Sequence, residues 1–153
     1  MQKIPDNVVR FFQDQGFVIV STIGSRGYPH SACKDIIKIN RNGTVYLLDL
    51  YLKDTFRNLQ RNRNISLTAV DEHRFKGYCL KGKAKLFAKK GLEPGVKKAW
   101  EARINSRLTQ RILKNLHGEK GHLRHPELLL PRPEYMIVVE VEEVVDLTPQ
   151  QLK

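Results

Sequence analysis

The sequence predicts a mainly β fold with peripheral α-helices, in the form of a small closed or split antiparallel barrel of six strands. Three observations point to it. Short apolar or alternating runs recur along the chain, and turn signals such as Gly24-Ser25-Arg26-Gly27 and Asn42-Gly43 separate the early ones, so neighbouring strands run antiparallel. Six such runs joined mainly by short connections favour a barrel over an open sheet. Only one long stretch, between the fifth and sixth runs, switches to a helical period.

Taken in order, Pro5 and Asp6 open a pattern with Val8, Val9, Phe11 and Phe12 that stops at Gly16, as in a short amphipathic helix closed by a glycine. Phe17 to Ile23 is β-branched and apolar, which predicts a buried first strand. The second strand starts at Pro29, whose missing N–H is tolerated at a strand's first residue, and runs to Ile39. Thr44 to Asp49 is the third strand. Asp54 or Thr55 caps a helix through Phe56 and Leu59, ended by Arg61 to Asn64. Ile65 to Val70 is the fourth strand. The fifth lies within Phe75 to Phe87, with Tyr78, Leu80, Gly82, Ala84 and Leu86 on one face and Cys79, Lys81, Lys83 and Lys85 on the other. Val96, Ala99, Trp100, Ile104, Leu108, Ile112, Leu113 and Leu116 recur at threes and fours, which predicts an amphipathic helix of about five turns with a basic opposite face. Gly118 to Pro133 returns the chain to the sixth strand, Tyr135 to Val145.

A chain of 153 residues, 41% hydrophobic, holds one core and is too short for two ordinary domains. Residues 1–153 are therefore read as one domain, with a helical insertion at about 92–133. No segment reads as a secretory leader or a membrane span, which predicts a soluble, cytoplasmic protein without membrane contact. Cys33 and Cys79 lie in different predicted strands and form no Cys-x-x-Cys, so both are expected as free thiols, Cys33 as a small buried hydrophobe. The excess of Lys and Arg over Asp and Glu, 27 to 16, gives a charge of +11, which attracts nucleic acid, anionic membranes or phosphorylated small molecules alike. With no block of like charges, the simplest reading is a solvated basic surface.

The stretch Gly27 to Asn62 carries the chemistry. Two paired strands end beside Lys53-Asp54-Thr55 at a helix N-terminus, where backbone N–H groups, an ammonium and a hydroxyl favour a phosphate dianion. That arrangement suits a planar ligand with a phosphate tail. The N-terminal helix, the strand Phe17 to Thr22, the turn Gly27-Tyr28-Pro29-His30, the phrase Lys53-x-Thr55-x-x-Asn58-Leu59-x-x-Asn62 and the strand Gly77-Tyr78-Cys79-Leu80-Lys81-Gly82-Lys83-Ala84 together resemble the pyridoxamine 5′-phosphate oxidase-like family of FMN-binding split barrels. The resemblance covers about residues 4–88 and 134–147.

This resemblance implies a Greek-key split barrel, a homodimer with FMN at the subunit interface, and oxidoreductase chemistry on a small-molecule substrate with NAD(P)H as a donor. Carried over, Ala32, Cys33, Lys34 and Asp35 would edge the isoalloxazine ring. Asp49, Leu50 and Tyr51 would line the ribityl side, with Lys53 and Thr55, and by extension Asn58, on the phosphate. Lys34 and Asp35 are adjacent in a strand and point to opposite faces, so at most one reaches the ring by its side chain. The vitamin B6 oxidases of the family carry Arg at about Ala32 and a Ser-Arg-Lys triplet near Lys53-Asp54-Thr55. This chain has neither in full, so the resemblance does not carry that activity over. The long basic helix exceeds the minimal barrel and reads as a lid or dimer element.

Other residues have plainer readings. His117, His122 and His125 fit no metal-ligand spacing and read as loop histidines. Trp100 and Tyr135 read as core or interface aromatics, and Glu140, Glu142 and Glu143 as solvated outer-face residues. No nucleophilic triad, P-loop or dinucleotide fingerprint is present. A basic nucleic-acid-binding barrel is the competing class, disfavoured because no aromatic stacking cluster accompanies the charge. The same barrel holding haem or a deazaflavin is a third alternative.

Overall fold

The computed structural model describes residues 1–88, 94–118 and 126–152. The chain forms α1 (Asp6–Asp14), β1 (Val18–Ile23), β2 (Pro29–Lys34), β3 (Ile36–Ile39), β4 (Thr44–Asp49), α2 (Asp54–Arg61), β5 (Asn64–Asp71), β6 (Lys76–Ala88), α3 (Pro94–Leu116) and β7 (Tyr135–Asp146), with single 3-10 turns at Pro126–Leu129 and Gln150–Leu152.

Seven strands, not six, form the antiparallel sheet, in the order β2-β1-β5-β6-β7-β4-β3. The extra strand comes from a break in the run Pro29 to Ile39. Up to Lys34 this segment pairs with β1, and from Ile36 it pairs with β4 instead. A register shift between Ile36 and Lys38 leaves Ile37 as the extra residue of a bulge, a device that bends a strand between two partners. The two ends of the sheet are thus halves of one bent segment, so the sheet curls until its edges meet at Asp35. Beyond that corner β2 and β4 diverge, and the barrel is split there.

The core follows from strand alternation. Val20, Val45, Leu47, Leu67, Leu80, Ile137, Val139 and Val141 are all fully buried. Each such side chain contributes about 1.5–3 kcal/mol relative to exposure. Helix α1 covers one side with Val8, Val9, Phe11 and Phe12. Phe11 meets Tyr78 edge-on at 5.1 Å between centroids, a favoured aromatic geometry. α1 ends at Asp14 with an extended Gln15, and Gly16 does not adopt the left-handed conformation expected of a glycine cap.

β1 is buried on one face only. Ile19 and Ile23 are exposed on the other, which corrects the reading of a wholly buried strand. Gly82 is required by close approach, since a Cβ there would lie 2.1 Å from the Glu140 carbonyl oxygen. At the same place the β6–β7 register slips past Glu142, so Glu140 and Glu143 both face outward. They are not simply solvated. Glu140 pairs with Lys85 at 2.5 Å and Glu143 with Lys81 at 3.1 Å, while Lys83 bonds Asn64. The basic face of β6 is largely compensated.

Candidate functional site

The split between β2 and the β4–α2 junction opens a cavity of about 410 Å³, within the size range of cofactor pockets. On its walls the fold brings together Ala32, Cys33, Lys34, Asp35, Asp49, Leu50, Tyr51, Lys53 and Thr55. Asn58 lies outside it, one helical turn further along α2. Cys33 is exposed, not the buried hydrophobe expected, because it sits on the open edge of β2, and Cys79 is buried in β6. Both are free thiols.

One end of the cavity is a closed polar network. Asp49 ends β4 directly opposite Tyr135 of β7, so the ladder register itself places the phenol by the carboxylate. Asp49 Oδ2 accepts from Lys34 Nζ at 2.5 Å and from the Tyr135 hydroxyl at 2.5 Å, and Oδ1 accepts from the Tyr51 backbone N–H at 3.3 Å. Both ionic side chains are under one-tenth exposed. A buried ion pair is tolerable when its remaining lone pairs are bonded, and here they are. Burial, then the hydrogen bond to Asp49 and its charge, holds the Tyr135 phenol well above its ordinary range, so it remains a donor at neutral pH.

Beyond Tyr51, whose N–H reaches Asp49, the wall is cationic. Lys53 occupies the cap position of α2 without a side-chain cap bond, while Asp54 and Thr55, expected as caps, are the helix's first residues. The leading N–H groups of α2 therefore lack the usual side-chain acceptor. Thr55 is buried on the cavity wall. Lys53 has no carboxylate partner among them either; its ammonium lies 4.9 Å from the Tyr51 ring centroid.

A third wall comes from α3, through Trp100, Ile104 and Arg107. Arg103 Nε and an Arg107 terminal nitrogen reach Asp35 Oδ1 at 2.7 and 3.2 Å, as residues four apart on one helix face can. Arg103 also donates to the Gln15 carbonyl at 3.2 Å, Arg107 donates to the Gly16 carbonyl, and its guanidinium lies 4.6 Å from the Phe17 ring centroid. Asp35 Oδ2 is buried on this wall with no partner among the described residues. Sequence reasoning gave α3 a covering role but missed Trp100, Ile104 and Arg107 as cavity residues. The available signal was the pair of arginines four apart on the amphipathic helix, Arg103 and Arg107. Phe17, His30 and Ile37 also line the cavity and were missed. His117 follows the C-terminus of α3, while His122 and His125 lie outside the described residues.

A family model described as pyridoxamine 5′-phosphate oxidase matches residues 4–129. The chain belongs to this family. Among solved structures, HupZ of Group A Streptococcus is similar at a TM-score of 0.64 and 18% identity, covering 95% of this chain and 94% of that one. A Clostridium acetobutylicum protein of the pyridoxinephosphate oxidase family, related to general stress protein 26 of B. subtilis, is similar at a TM-score of 0.58 and 15% identity, covering 96% and 95%. An F420 reductase is similar at a TM-score of 0.57 and 9% identity, covering 93% and 98%. At these identities the likeness is one of fold. Comparison with curated proteins finds no match. Family membership accounts for the split barrel.

Proposed function

We propose that this chain is a homodimeric flavoprotein that binds FMN in the split between β2 and the β4–α2 junction. It passes hydride or electrons from a nicotinamide donor, NAD(P)H, to a small-molecule acceptor. The observation that carries the reading is a mostly apolar cavity walled in part by Thr55 and by Lys53, which has no carboxylate partner among the described residues and stands at a helix N-terminus without a side-chain cap.

The residues present fit a flavin mononucleotide. Lys53, Thr55 and the first N–H groups of α2 would hold the phosphate. Ala32 to Asp35 would edge the ring, and the unpartnered Asp35 Oδ2 calls for an N–H donor of the kind an isoalloxazine carries. Trp100, Ile104 and Leu130 exclude water from the cavity's open side. Lys34 keeps a positive charge at the cavity wall, held in place by Asp49. FMN, when bound, supplies the hydride and electron chemistry, and the chain supplies binding, orientation and field. The exposed apolar residues Ile19 and Ile23 on β1, with Val70 and Phe75 nearby in sequence to the β5–β6 turn, favour a second copy covering the sheet.

The test is an absorption spectrum of the purified protein followed by FMN titration. A flavin spectrum, or FMN binding by colourless protein, supports the reading. A deazaflavin spectrum would replace the cofactor, and a Soret band would move the reading to haem, with His30 as the imidazole on the cavity wall. Binding of none would sink the cofactor reading and leave a basic barrel to be tested with nucleic acid.

A further inference from the structure

Beside the cavity runs a groove of about 320 Å³ lined by Arg26, Tyr28, His30, Asp54, Arg57, Asn58 and Arg61, among others. His30 and Asp54 line both, so the groove continues the cavity outward along α2. We propose that this groove is a second anion site, which binds the phosphate or diphosphate end of the ligand that reacts in the cavity.

Four observations support it. Three guanidinium groups face a single carboxylate there, Asp54, whose nearest approach to Arg57 is 3.8 Å. Arg26 has no carboxylate partner among the described residues and lies 5.9 Å from the Tyr28 ring centroid. Arg57 and Arg61 stand four apart on one face of α2, an arrangement of like charges that weakens a helix, and Arg57 stands in the first turn, where the helix dipole disfavours a cation. The helix dipole favours Arg61 in the last turn, but Arg57 has only a loose 3.8 Å pair with Asp54 to offset its position, so helix stability leaves the pair of arginines only partly explained. Last, Arg61 is held in position: its guanidinium donates to Asn58 Oδ1 at 2.7 Å, and Asn58 Nδ2 donates to Thr22 Oγ1 at 3.1 Å. Asn58 and Thr22 are buried at 3% and 2% exposure, so this buttress is part of the core. Asn58 thus serves as a positioning residue for Arg61.

Planar guanidinium forks match a tetrahedral phosphoryl group bidentately, better than an ammonium does. The ligand class is therefore a phosphorylated organic molecule whose uncharged end enters the cavity. The inference rests on the cavity's reading as a cofactor site, but its charge argument stands on the groove alone.

The test titrates FMN-saturated protein with inorganic pyrophosphate by calorimetry, so that FMN occupies the Lys53 end and only the groove is free. The expected result is saturable binding that weakens at least about tenfold in R57Q and again in R61Q, with FMN affinity unchanged in both. R57Q removes an exposed, loosely paired side chain, so folding is not at stake; R26Q is the third variant. No pyrophosphate binding overturns the proposal. So does an equal loss of FMN and pyrophosphate affinity in R57Q, since the arginines would then serve the cofactor's own phosphate. If FMN does not bind at all, the cofactor reading fails while the groove is still judged on ligand-free protein: loss of pyrophosphate binding in R57Q but not in K53A supports it, and the reverse overturns it. A labelled single-stranded RNA that binds through the same arginines and is not displaced by pyrophosphate would make the groove a nucleic-acid contact and overturn the small-molecule assignment.

Discussion

Lys34 and Lys53 stand on the walls of one cavity, yet their charges are used differently. Lys34 is buried and locked to Asp49 in a network that also takes up Tyr135. Lys53 is exposed, rests against Tyr51 and has no carboxylate partner among the described residues. The first charge is consumed in holding β2, β4 and β7 in register, and the second is available to a ligand. One residue type in one cavity is therefore paired in one place and left open to a ligand in the other, and the difference lies in which neighbour the fold supplies.

The comparison breaks most visibly at Asp49. D49A strands a buried ammonium and a buried phenol, and we expect a loss of about 3–5 kcal/mol in urea-induced unfolding. A loss below about 1 kcal/mol would mean that Lys34 finds water and that the closed end is not closed. K53A should do the opposite. Its unfolding free energy stays within about 0.5 kcal/mol of the wild type, while FMN affinity, measured by fluorescence titration, falls by about 1.5–3 kcal/mol. Unchanged FMN affinity in K53A would remove Lys53 from the phosphate.

Tyr135 sharpens the contrast through pH. Its folded pKa is raised above the unfolded value of about 10, so its contribution is fully present below that pH and is lost as pH rises above it. Wild-type stability should decline at alkaline pH in a way that Y135F does not share; parallel pH profiles would argue against the buried phenol–carboxylate bond. The smallest expected effect is T55V, which keeps the helix and removes one hydroxyl, weakening FMN binding by about 0.5–1.5 kcal/mol with no dependence of stability on the change. A stability loss larger than the binding loss would show that the Thr55 hydroxyl serves the fold instead.

The bent strand shows how far local sequence reaches. No turn residue interrupts the run from Pro29 to Ile39, so it reads as one strand. The corner exists because β1 and β4 compete for the same segment and the Ile37 bulge divides it between them. Most of the cavity was legible because its residues cluster in two short segments, 32–35 and 49–55, that hairpin connectivity brings together. Trp100, Ile104 and Arg107 were not, because only the packing of a distant helix delivers them. Asn58 reads in sequence like its neighbours Lys53 and Thr55. In the fold its amide is already spent on Thr22 and Arg61.

By itself the sequence determined the element order, the antiparallel class, the inward faces of α1 and β6 and the segment that carries the cavity. These follow from side-chain period and turn chemistry, which act over a few residues. Tertiary structure alone decided the seventh strand, which residues of α3 line the cavity and the separate fates of Lys34 and Lys53. Each depends on which distant group lies within a few ångströms, and Coulomb and hydrogen-bond energies are set by that distance and by the water it excludes.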